Sequence, residues 1–162
     1  VSVLVNNAAV RPEQEFLEID REDWEDVVGV VLQGAFVCTQ AVLPHMVDQR
    51  WGRIVNITGV TGQTGAARRA HVVTAKAGLL GLTKALALEY AHTGITVNAV
   101  SPALIDTVRE HVPEHHRDRT TPIGRHGRPE EVAGAVRYLV GGQAAYMTGQ
   151  SLNLNGGTHT GN

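Results

Sequence analysis

Gly52-Arg53-Ile54-Val55-Asn56-Ile57 decides how this chain folds. Ile54, Val55 and Ile57 form a short apolar run. Trp51-Gly52 turns the chain into it, and the small and polar residues 58–67 follow as a loop, so the run reads as a short strand. A helix rich in Ala, Leu and Gly is expected over residues 71–91. Gly94 stands just beyond it, where helices commonly end on a glycine. Ile95-Thr96-Val97-Asn98-Ala99-Val100 is the next strand, broken by Ser101-Pro102. Strand, helix and strand in this order predict a parallel sheet with helices packed on it.

The flanks repeat the alternation. Val1-Ser2-Val3-Leu4-Val5 reads as a buried strand, and Asn6-Asn7-Ala8-Ala9 as the turn after it. Asp20 is a helix N-cap, with Glu22 and Asp23 in the first turn. Trp24, Val27, Val28, Val31, Leu32 and Ala35 then recur at helical spacing, the stripe of an amphipathic helix that continues to about Met46 or Val47. Arg128-Pro129-Glu130-Glu131 opens a further helix with proline in its first turn. Leu152-Asn153-Leu154 is a last short strand before Gly156-Gly157. The chain opens without methionine and inside an apolar run, so a piece of a longer protein is expected.

Composition narrows the function. The 162 residues are 43% hydrophobic and 19% charged, enough for a single domain with a real core. A net charge of −2 and scattered arginines argue against nucleic-acid binding. Cys38 is the only cysteine, so no intrachain disulfide forms and a reducing, cytoplasmic setting is expected. No signal peptide is expected, because the sequence opens on Val1-Ser2-Val3-Leu4-Val5 without a basic leader. No apolar run is expected to be long enough to cross a bilayer, so no membrane partner is expected either.

Five motifs occur in a fixed order: Val5-Asn6-Asn7-Ala8, residues 52–57, Thr74-Ala75-Lys76-Ala77-Gly78, Gly94-Ile95-Thr96-Val97-Asn98 and Asn155-Gly156-Gly157. Together the chain resembles the short-chain dehydrogenase/reductase family, especially its 3-oxoacyl carrier-protein reductase-like members. The resemblance covers essentially the whole chain but only the second half of the family fold, from its fourth strand onward. It implies an α/β fold: a Rossmann-like, doubly wound parallel sheet, incomplete because the family's N-terminal strands are missing. It also implies NAD or NADP as cofactor, a small carbonyl or alcohol substrate, and a homodimer or homotetramer built on the two long helices. Gly59-Val60-Thr61-Gly62-Gln63-Thr64-Gly65 has GxxGxxG spacing, not the GxGxxG of a dinucleotide loop, and reads as a flexible rim of the active site.

The family's catalytic set is Asn, Ser, Tyr and Lys. By resemblance those positions fall on Val31, Gly59, Val72 and Lys76, so only the lysine is kept. A phenol can give a proton to a carbonyl oxygen; an isopropyl group cannot. In the family the lysine binds the nicotinamide ribose and lowers the tyrosine pKa. His71 is a candidate substitute proton donor because imidazole titrates near neutral pH. Its separation from Lys76 is not a same-face helical spacing, so the helix would have to start late or distort. Thr58 and Thr61 flank the serine position and could offer hydroxyls.

On the cofactor side, Asn7 and Ala8 match residues that line the adenosine ribose, with Ala9 in place of the usual glycine. Pro102, Ile105 and Thr107 match the segment that contacts the nicotinamide carboxamide, with Ala103 where glycine is usual. His111, Glu114, His115 and His116 form a small cluster in a polar stretch, which reads as part of a substrate cover and not as a metal centre. Three functions stay open: an atypical oxidoreductase, a non-catalytic relative that binds cofactor or a partner subunit, and a truncated product inactive alone.

Overall fold

A computed structural model describes residues 1–107 and 120–161. The cluster His111, Glu114, His115 and His116 therefore lies outside the described residues. Four strands, β1 (Val3–Asn6), β2 (Gly52–Ile57), β3 (Ile95–Pro102) and β4 (Ser151–Leu154), form one sheet in the order β1-β2-β3-β4, every pair parallel. Strand β3 does not stop at Ser101-Pro102. Pro102 is its terminal residue, where its missing N–H leaves no gap in the ladder interior, and it is in register with Leu154.

Side chains alternate across the sheet and helices cover both faces. Ile54, Ile95 and Val97 join Leu43, Met46 and Ala87 on the face covered by α2 (Gly34–Asp48) and α4 (Ala70–Tyr90). Val55 and Val100 join Leu139 and Ala144 on the opposite face, under α5 (Pro129–Val140). The doubly wound, Rossmann-like arrangement follows from these two clusters. Strand β1 pairs with β2 alone among the described residues, and Val3 and Val5 are each 40% exposed.

The first long helix is α1 (Arg21–Val28), a wide π-turn (Gly29–Gln33) and α2 in one continuous run. Asp20 caps it by accepting from the Asp23 N–H at 2.8 Å. The π-turn places Val31 in a buried cluster with Val27, Ala35, Val72, Ala75 and Leu79. Residues 27–47 carry no Asp, Glu, Lys or Arg, and the helix Arg21–Asp48 is long and apolar enough to cross a membrane by length and composition. That corrects the expectation that no such run exists. Here one stripe of the helix is core against the sheet and α4, while Phe36 and Val37 face outward, 48% and 52% exposed.

Helix α4 ends at Tyr90 and runs on into a 3₁₀ turn, Ala91–Thr93; Gly94 caps that turn at φ 82°, and a Cβ there would run into the Arg50 carbonyl oxygen. Loop 58–67 is not all loop. Thr61–Thr64 forms a short helix, α3, which Gln63 ties to the strand tips by donating to Ser101 Oγ at 2.8 Å and Asn153 Oδ1 at 2.7 Å.

Candidate active site

A cleft of about 630 Å³ opens at the carboxyl ends of β2 and β3. Ligands of open parallel sheets bind at strand ends of this kind. Its wall is Thr58, Gly59, Val60, Thr61 and Thr64 after β2, Pro102, Ala103 and Leu104 at the end of β3, and Val72 and Lys76 from the first two turns of α4. The loop after β1 adds Arg11 and Glu13, and Arg68 and Arg69 close the side.

Lys76 is 5% exposed, and its ammonium donates to the Ile57 carbonyl oxygen at 2.7 Å. Burial, reinforced by the Arg11 charge, lowers its pKa from 10.5 to about 8. Helix α3 lies close on it: a Cβ on Gly62 would come within 3.0 Å of the Lys76 backbone carbonyl carbon. Val72, one turn earlier on the same helix face, also lines the cleft. Gly59 adopts φ 127°, a conformation that side-chain-bearing residues rarely take.

Beneath the cleft is a buried amide network. Asn6 Nδ2 donates to Asn56 Oδ1 at 2.8 Å and Asn56 Nδ2 donates to Thr83 Oγ1 at 2.8 Å. Thr83 in turn donates to the Leu79 carbonyl at 2.8 Å. The network locks β1, β2 and α4 together. Sequence reasoning missed it, because Asn56 and Thr83 each read as ordinary strand or helix residues.

The other sequence candidates are dispersed. His71 is fully buried with neither ring nitrogen hydrogen-bonded, and it is not among the residues lining the cleft. Helix α4 starts at Ala70, so the late start that would have brought His71 to the cleft does not occur, and its side chain is buried away from the cleft wall. Asn7 and Ala8 follow β1 and are exposed. Pro102 lines the cleft with Lys76. Ile105 bridges to Gly127 and lines a neighbouring cavity of about 230 Å³, and Thr107 is exposed beyond it. Arg11 and Arg69 were not singled out in the sequence, because nothing local signals that residues so far apart share a wall.

Comparison with known proteins agrees with this geometry. A family model described as enoyl-(acyl carrier protein) reductase matches residues 1–159. Nodulation protein G of Azospirillum brasilense is 43% identical over 162 residues, which cover 97% of this chain and 65% of that protein. The 3-oxoacyl-(acyl-carrier-protein) reductase of Aquifex aeolicus is likewise 43% identical, with the same coverage. That of Synechocystis sp. is 44% identical over 159 residues, covering 97% of this chain and 64% of its own length. The chain thus spans about two thirds of these curated relatives. With a helix-covered parallel sheet, a buried lysine at the strand tips and this match along nearly its full length, the chain belongs to the short-chain dehydrogenase/reductase family.

Proposed function

We propose that this chain serves an NAD(P)-dependent oxidoreductase that interconverts a carbonyl and an alcohol at an atypical active site. The observation that carries this reading is Lys76, buried in the cleft at the strand tips with its ammonium on the Ile57 carbonyl. The cleft volume suits a small ligand, since such sites span about 300–1,000 Å³. Lys76 and Pro102 are the residues of this chain that would meet the nicotinamide end, with Ile105 and Thr107 beyond them. A nicotinamide, when bound, supplies or accepts the hydride.

The proton is left to the protein. With valine at position 72, Lys76 is the one lysine on the cleft wall. An ammonium that titrates near 8 is a fitting acid close to neutral pH. One N–H is held by Ile57, which orients the group; the others are free to face a carbonyl oxygen. Reduction then draws a proton from Lys76 Nζ to that oxygen, and oxidation returns it. Val72 and Leu104 provide apolar wall for the carbon skeleton. Several relatives carry the name 3-oxoacyl-(acyl-carrier-protein) reductase, so acyl thioesters belong in the substrate panel.

A second reading is supported by one observation: Val31 and Val72, which stand where we read the family's asparagine and tyrosine, lie in the same apolar cluster. This reading is a non-catalytic relative that acts as a cofactor-binding or partner subunit. We also propose a homodimer or homotetramer, supported by the outward Phe36, Val37 and Leu88, the last 84% exposed, and a cytoplasmic location. Oxidation of NADH or NADPH, each at millimolar concentration, with a panel of ketones and thioesters separates the two readings. Turnover that vanishes in Lys76→Met supports the enzyme. Cofactor binding without any turnover supports the non-catalytic subunit.

A further inference from the structure

Arg53 is a buried cation without a counter-charge. It is the second residue of β2, at the amino end of the sheet, whereas the cleft lies at the carboxyl ends. It is 5% exposed, and no acidic side chain pairs with it among the described residues. Buried charges are ordinarily paired. Here Nη1 donates to the carbonyl oxygens of Gly52 at 2.7 Å and Gly94 at 3.1 Å. Nε is closed off from solvent and donates to nothing. Burial lowers the pKa of the group, yet a guanidinium keeps its proton in proteins, so the charge stays in place.

A second orphan stands beside it. Thr96 is the partner of Arg53 in the register of β2 and β3, so both side chains leave the sheet on one face. The Thr96 hydroxyl is buried and has no hydrogen bond. Trp51 lies against the guanidinium, with 4.7 Å between its ring centroid and the guanidinium carbon, and is itself 41% exposed. Two donors left unmade in the interior cost free energy, the charged one more. One oxygen acceptor placed between them satisfies both. A carboxylate fits best: it brings the missing negative charge, and its two oxygens match the Nε–Nη2 edge, the edge that carries no carbonyl.

We propose that Arg53 and Thr96 form a carboxylate-binding site at the amino end of the sheet, with Trp51 as its movable outer wall. The ring swings out, and the carboxylate takes the Nε–Nη2 edge and the Thr96 hydroxyl. The carboxylate comes from a free small acid or from the acidic side chain of another polypeptide. The site is separate from the oxidoreductase cleft and does not depend on the reading of it.

Trp51 reports occupancy. In a Trp24→Phe background it is the sole tryptophan. Its emission is titrated at neutral pH and matched ionic strength with acetate against acetamide, and with the blocked peptide acetyl-Ala-Glu-Ala-amide against its glutamine counterpart. Each acid should act at about tenfold lower concentration than its amide. The response should vanish in Arg53→Met and weaken about fivefold in Thr96→Val, which keeps the shape and removes the hydroxyl. The acid should also raise the melting temperature of the parent and leave that of Arg53→Met where it was. A peptide that acts at lower concentration than acetate names a polypeptide as the source; otherwise the source is a free carboxylate. No response, equal responses to acid and amide, or an acid response that either variant leaves intact overturns the proposal. Should Arg53→Met fail to fold, Thr96→Val decides alone.

Discussion

The ammonium of Lys76 is fastened to the carbonyl oxygen of Ile57 at 2.7 Å, which joins helix α4 to the tip of β2 where the cleft begins. A buried lysine with this single fixed partner titrates low, at about 8. Carbonyl reduction should therefore slow as pH rises through about 8, and Lys76→Met should lower kcat by about 10²–10⁴-fold. Initial rates from pH 6 to 10 check both. A rate unchanged in the variant removes Lys76 from proton transfer.

The same lysine affects stability. Its folded pKa lies below the unfolded value of 10.5, so the native state releases its proton first as pH rises. Stability relative to Lys76→Met should climb between pH 8 and 10.5, by up to about 3 kcal/mol, and stay flat below that window. Urea midpoints of both proteins across this range supply the comparison.

Asn56 is fully buried and bonded on both sides of its amide. Asn56→Ala would leave the Asn6 amide and the Thr83 hydroxyl without this partner. A loss of about 2–4 kcal/mol is expected, against less than about 0.5 for an exposed control such as Glu22→Ala. Chemical denaturation with an unchanged m-value would confirm it.

At the start of α5, Arg125 and the Arg128 N–H hold the Glu131 carboxyl down to about 2. A depressed carboxylate adds stability above its unfolded value of 4.5, and that share is lost as pH falls towards 2. Glu131→Gln should melt earlier than the parent at neutral pH, by a degree or so, and the gap should close near pH 2.

Placing at positions 72 and 59 the tyrosine and serine that we propose other family members carry there should not be benign. Val72 is 2% exposed in a packed cluster, so Val72→Tyr overfills it by about 1–3 kcal/mol. Gly59 sits at φ 127°, so Gly59→Ser strains the backbone by about 1–3 kcal/mol. Melting temperatures above the parent's in either variant would show that the backbone relaxes to admit the larger side chains.

The sheet was legible because its signals are local. Ile54 and Val55 alternate between two helix-covered faces, and Gly94 stops the helical run, capping the 3₁₀ turn Ala91–Thr93 that follows α4. Lys76 was legible through the motif around it. The short helix Thr61–Thr64 was not: its glycines suggest loop, and it is held by Gln63 reaching Asn153, a partner 90 residues away. His71 lies within α4 and off the cleft wall, five residues from Lys76, a separation that does not share a helix face. The Arg11–Arg69 wall was invisible because no local pattern announces that two loops will meet.

Strand β1 bears on handling. Among the described residues its outer flank pairs with no other strand, beside the half-bare side chains of Val3 and Val5. Such a border invites another polypeptide to continue the ladder. Storage losses should then accelerate with concentration, and a lysine placed at Val5 should slow them more than any change made inside the cleft.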